Sequence, residues 1–190
     1  MIVNVDENKK ETAGALAEFV PNVIVTHPLA PLDNLALYRQ IGGAFGKERE
    51  AEALCDRFAS VYQEVSTKTL QKRDVLYLIW KDPWMTVSRD TYISRTLAVF
   101  GLETLPVDAA ERYPTLTLKE SWISDADLVL LSTEPYRFRE SHLKEIQDKI
   151  GKPARLIDGE MTSWYGSRAI AGLGYLAEFS SRLSSSPGAA

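Results

Sequence analysis

The chain has 190 residues, 45% hydrophobic and 25% charged, the composition of a globular protein of one domain or two small lobes. Its formal net charge of −4, with no basic stripe interleaved with aromatics, argues against a nucleic-acid partner. A single cysteine, Cys55, rules out an internal disulfide or a cysteine-based metal cluster, and no run approaches the ~18 apolar residues of a membrane span.

The opening MIVNVDENKK is no signal peptide, because its apolar part is short and acids follow at once. If Met1 is the true start, the expected compartment is the cytoplasm. Ile2–Val5 reads as a short strand, 9–19 as a helix stopped by Pro21, and Val23–Thr26 as a second strand. Asp33 is a fitting N-cap for a helix with Leu37 and Ile41 on one face, ending at Gly42–Gly43. Residues 1–46 are thus expected to form a partial α/β lobe. Two strands cannot cover both faces of their helices, and a unit that small is marginal alone.

Residues 47–72 read as one long helix. Ala51, Leu54, Phe58, Val61 and Val65 alternate at spacings of three and four, on one face. At ~1.5 Å per residue it would span ~35–40 Å, enough to join two lobes.

Beyond it, residues 73–183 alternate strands and helices. Val75–Trp80, Asp127–Ser132 and Ala154–Asp158 are apolar strand candidates. The helices between them are expected over 89–100, with Ile93, Leu97 and Phe100 inward, and around Leu143, Ile146 and Ile150. Thr117-x-x-Glu120 is a capping-box signal for a short helix. A last helix runs over 167–183, where Gly172 and Gly174 would allow close packing, and the tail 184–190, SSSPGAA, is expected to be disordered. Strands apolar throughout predict a parallel sheet covered on both faces. The fold class is therefore α/β, with two doubly wound parallel-sheet lobes joined by a long backbone helix and the first lobe incomplete.

In such sheets ligands bind beyond the carboxyl ends of the strands. The three loops there carry Trp84 and Met85, then Tyr136 and Phe138, then Trp164 and Tyr165. Large aromatics on one edge suit a bulky, partly apolar ligand, although each could instead fold back to close the core. Catalytic constellations are weak. His27 and His142 lack acidic ligands at metal spacing, so no metal site or cofactor is expected. No G-x-S-x-G elbow, P-loop or dinucleotide fingerprint is present, and an enzyme built on Asp158, Glu160 and Arg89 would lack a nucleophile or base.

Three segments carry a family likeness: the run from Ile79 through Trp84, Met85, Arg89 and Asp90 to Thr91; then Glu111-Arg112-Tyr113-Pro114; and Asp158-Gly159-Glu160 with Ser163-Trp164-Tyr165-Gly166-Ser167-Arg168. Together they resemble the helical-backbone (class III) substrate-binding proteins of ABC importers. These are the cobalamin and ferric-siderophore receptors, with the vitamin B12-binding branch the most similar. The resemblance implies a non-catalytic receptor in the periplasm or at the cell surface, holding cobalamin or a ferric chelate between two lobes. It implies ligand contacts at Trp84, Met85, Tyr113, Trp164 and Tyr165, to which the strand-end loops add Tyr136. It further implies docking on a permease through surface acids, here Glu7 or Glu11 on the first lobe and Glu120 on the second, where Lys119 stands at the expected acid. The resemblance also implies that the family's first lobe opens with a further strand–helix section, ahead of the part that this sequence matches. The alternative is a truncated interaction protein whose short lobe pairs with another chain.

Overall fold

The computed structural model describes residues 1–68, 70–108 and 110–185. A small sheet pairs β1 (Ile2–Asn4) in parallel with β2 (Ile24–Thr26), with α1 (Lys10–Ala17) between them and α2 (Asp33–Ala44) after. The long helix α3 (Glu48–Ser66) then leads to the large sheet. That sheet holds β3 (Arg73–Trp80), β4 (Trp84–Thr86), β5 (Leu102–Leu105), β6 (Thr115–Leu116), β7 (Leu128–Ser132) and β8 (Ala154–Ile157). Its helices are α4 (Tyr92–Ala98), a 3-10 turn at Ser121–Asp125, α5 (Glu140–Ile150), α6 (Gly159–Ser163) and α7 (Ser167–Ser185).

The apolar runs read as strands form the parallel centre of the large sheet, β3 flanked by β7 and then β8. Three further strands escape the sequence reading. β5 pairs in parallel with the first half of β3, Arg73–Leu76. β4 returns antiparallel on the second half, through Leu78 and Trp80, and β6 adds to β4. The sheet is therefore mixed at one margin, because the loop after Trp80 doubles back as a hairpin.

Alternation along the strands splits the core into two faces. Val75, Tyr77, Leu128, Leu130 and Ile157 face α3, α4 and α7, together with Phe58, Leu97, Leu173 and Leu176. Leu76, Leu78, Val129 and Leu131 face the opposite side, with Ile123, Phe138 and Ile146. The inner stripe of α3 is Ala51, Cys55, Phe58 and Val65. Tyr38 of α2 meets Phe58 edge-on at 6.1 Å, so α3 carries the small lobe on one flank and the large sheet's helix layer on the other. Gly42 makes that junction possible: a Cβ there would lie 2.4 Å from Ala51 Cβ.

Several expected boundaries shift. α3 stops at Ser66, short of the expected residue 72, with Thr67 at its C-cap donating its hydroxyl to the carbonyls of Gln63 and Glu64. The expected helix over 89–100 begins at Tyr92, where the Thr91 hydroxyl accepts the Ser94 N–H. At Thr117, Glu120 reaches back to the Thr117 N–H at 2.8 Å as a capping box would, yet only a 3-10 turn follows. Gly172 does serve close packing, since a Cβ there would lie 2.4 Å from the Met161 carbonyl; Gly174 meets nothing. In the expected disordered tail, Ser184 and Ser185 belong to α7, and 186–190 lie outside the described residues. No helix among the described residues is long and apolar enough to cross a membrane.

Candidate functional site

The two sheets meet along a seam at the carboxyl ends of their strands. On the small-lobe side the turn after β1 is wound tightly by its own side chains. Asn4 Oδ1 accepts the N–H groups of Asp6 and Glu7, and the Asn4 N–H donates to Asn8 Oδ1 at 2.8 Å. This aims Asp6 at the large lobe, where it pairs with Arg112 Nη1. His27, just after β2, accepts from the same Nη1 at 2.9 Å. Arg112 Nε donates to the Asp90 carbonyl at 2.9 Å, and its guanidinium lies 5.7 Å from the Tyr113 ring centre. Burial, then the charge of Asp6, push the Tyr113 hydroxyl up to about 12. It stays protonated at any physiological pH.

Deeper in the seam the contact is neutral, buried around Asn34 and Tyr92 and half-buried at Tyr165 and Gly166. Asn34 Nδ2 donates to the Pro31 carbonyl and the Tyr92 hydroxyl, at 2.8 and 3.1 Å, while its Oδ1 accepts the Gly166 N–H at 2.7 Å. Tyr38 donates to the Gly166 carbonyl at 2.7 Å. Tyr165 sits edge-on to Tyr92, its hydroxyl 3.5 Å from Thr26 Oγ1, and burial raises the pKa of both phenols. An apolar groove of about 620 Å³ adjoins this end of the seam, lined by Ile2, Leu37, Tyr38, Ile41, Phe45 and Leu54, with Tyr165 at its border.

The six aromatic and sulfur side chains expected at the ligand do not form one wall. Tyr113 and Tyr165 stand on the seam. Trp84 and Met85 are neighbours on β4, so they project to opposite faces: Met85 packs on the α3 side and Trp84 on the α5 side. Trp84 stacks on Phe138 at 6.2 Å, with the Lys81 and Lys149 ammonium groups over its ring at 5.5 and 5.6 Å. Tyr136 joins that cluster, 4.6 Å from Phe138 and 5.6 Å from Trp80. Trp164 is 52% exposed at the end of α6, its Nε1 donating to Glu134 at 3.2 Å.

The surface acids are also separate. Glu7 and Glu11 are exposed on the small lobe, at the turn after β1 and in the first turn of α1. Glu120 is half-buried and holds both the Thr117 N–H and Trp122 Nε1.

Residues an enzyme would need are engaged structurally. Asp158 caps α6 by accepting the Met161 N–H, Glu160 pairs with Arg168 at 2.9 Å, and Arg89 donates to the Thr104 carbonyl. His142 Nδ1 accepts the Arg139 N–H at the start of α5. The residues that sequence reasoning missed are Asp6, Asn34, Tyr92 and Arg112, with His27 noticed only as a turn histidine. Their shared signal was position, since Asp6 and His27 both follow strand ends, where ligand loops lie.

No protein-family model matches the chain, and no curated protein does. Solved structures do match. The periplasmic vitamin B12-binding protein BtuF of Vibrio cholerae superposes with a TM-score of 0.77 at 9% identity, over 97% of this chain and 74% of that one. The periplasmic heme-binding protein RhuT of Roseiflexus sp. RS-1, in apo form, gives 0.75 at 18% identity, over 93% and 73%. A possible iron-binding periplasmic solute-binding protein of Staphylococcus epidermidis gives 0.71 at 19%, over 93% and 74%. The fold is that of the class III periplasmic binding proteins, as the sequence likeness implied.

Proposed function

We propose that the chain is the non-catalytic substrate-binding component of an ABC importer, working in the periplasm or at the cell surface. Its ligand is a bulky, partly apolar molecule of the corrinoid, haem or ferric-chelate class, the classes named for the structural neighbours. The observation that carries this reading is the placement of Tyr113 and Tyr165 on the seam where two α/β units meet at their strand ends, beside an apolar groove of about 620 Å³. That size falls within the ~300–1,000 Å³ of small-molecule sites. Trp164, exposed at the same strand ends, is the natural outer contact, with Trp84, Met85 and Tyr136 supporting the loops from behind. Glu7 and Glu11, exposed on the small lobe, are the better docking acids for a permease; Glu120 is committed to its own turn.

The test is a fluorescence titration with cyanocobalamin, haem and a ferric hydroxamate. Saturable quenching at micromolar concentration, lost in Tyr165→Ala and weakened in Trp164→Leu, is the expected result. Fluorescence unchanged across all three probes overturns the reading.

One observation favours a second reading, an interaction protein whose small lobe is completed by another polypeptide. Ile2, Val5, Phe19, Val25 and Phe45 are all exposed on that lobe, and such patches mark interfaces. Sedimentation decides: a concentration-dependent dimer supports it, and a monomer at all concentrations argues against it.

A further inference from the structure

Asp6 and His27 stand at the ends of the small sheet's two strands, and Arg112 stands on the large lobe between β5 and β6. Their contacts tie the lobes together across 106 and 85 residues of chain. Arg112 has no acceptor atom, so in its 2.9 Å contact it donates and His27 Nε2 accepts. The ring nitrogen that accepts carries a lone pair, and the imidazole in this arrangement is neutral.

The charged groups facing His27 are Arg112 at 2.9 Å and Asp6 at 3.9 Å. Behind them, Glu7 is near enough for its charge to bear on both Tyr113 and Tyr165. Protonation puts a hydrogen where the lone pair was. The bond from Arg112 is lost, and two cations are left at hydrogen-bond distance. Asp6, which already accepts from Arg112, can accept from the protonated ring as well, so its single negative charge is shared between two cations and its hold on Arg112 weakens. Arg112 Nη2 is buried with no partner among the described residues, so the arginine's remaining bond, from Nε to the Asp90 carbonyl, holds it to the large lobe and not to the small one.

We propose that Asp6, Arg112 and His27 form a proton-sensitive latch between the lobes, closed while His27 is neutral and released when it is protonated. The device sets how readily the seam opens and does not depend on which ligand, if any, the seam takes. Its neutral partners, the Asn34–Gly166 and Tyr38–Gly166 bonds, do not titrate in this range and act as the hinge side of the joint.

Hydrogen–deuterium exchange at about pH 7.5 and about pH 5.5, spanning the range where imidazoles titrate, tests the latch without any ligand. After correction for intrinsic exchange, wild-type amides in 5–9 and 110–114 should exchange about threefold or more faster at the lower pH, as a local opening would give. In His27→Gln the side-chain oxygen keeps an acceptor for Arg112 and cannot titrate, so the difference between the two pH values should vanish. In Asp6→Asn the same segments should be fast at both. A wild-type seam that is unchanged or slower at low pH overturns the latch. So does a pH response retained in His27→Gln, or an Asp6→Asn seam as protected as wild type.

Discussion

The two sheets are built by the same chain under very different conditions. In the large one, all five residues of β7 are buried, and both faces are covered by helices. In the small one, β1 and β2 together bury only Val3 and Thr26, while α1 buries none of its residues. The large sheet generates its own stability through apolar burial. The small lobe borrows its stability from α2, α3 and the seam. Side chains there that reach the large lobe, such as Asn34, Tyr38 and Asp6, therefore matter more than any contact inside its own sheet.

Removing the shared support should give the largest effect. Phe58 is fully buried on α3, touching Tyr38 of the small lobe and stacked on Tyr62 at 6.0 Å. Phe58→Ala is expected to destabilise by about 3–5 kcal/mol, seen as a single lowered melting transition. Two separated transitions would break the comparison, because the small lobe would then have stability of its own. Next comes Asn34→Ala, which leaves the buried Tyr92 hydroxyl and Gly166 N–H without their partner. About 1–3 kcal/mol is expected from one buried hydroxyl and one half-buried N–H that lose their partner, measured by denaturant unfolding. A loss under about 0.5 kcal/mol would mean that the seam is not what holds the small lobe in place.

The same contrast decides what could be read in advance. Val75–Trp80 and Asp127–Ser132 are legible because a strand buried on both faces must be apolar at every position. β4 and β6 are three and two residues long, too short for any period, and Trp84 and Met85 were read as loop. The end of α3 escapes the sequence because neither Gly nor Pro marks it; the C-cap is Thr67. Tyr165 is legible from its loop beyond a strand's carboxyl end, whereas Tyr113 comes from family likeness alone. Arg112 could not be matched to Asp6 or His27 by any spacing rule, since only the sheet topology brings such distant residues together.

A smaller effect separates surface charge from burial. Hydrogen bonds from Lys149 and then Lys81 hold the Glu145 carboxyl down at about 2. A free glutamate titrates near ~4.3, so this contribution is complete above that value and is lost as the pH falls towards about 2. The trio is partly exposed, so screening limits it to about 1 kcal/mol or less. Glu145→Gln should melt slightly lower than wild type near neutral pH, and the gap should close on acidification. A gap that widens in acid would contradict the pairing.

The smallest stability effect is expected where the small lobe is most exposed. Phe19 follows α1 with 83% of its surface open, so Phe19→Ser removes almost no burial. Stability should stay within about 0.5 kcal/mol of wild type, by the same unfolding assay in which Phe58→Ala loses several kcal/mol. What should change is the surface. Binding of a hydrophobic dye, and any self-association seen by sedimentation, should fall with the loss of one large exposed apolar side chain from the small lobe. A drop in stability comparable to that of Asn34→Ala would show that α1 packs on something in solution, and that the small lobe is less dependent on the seam than its burial indicates.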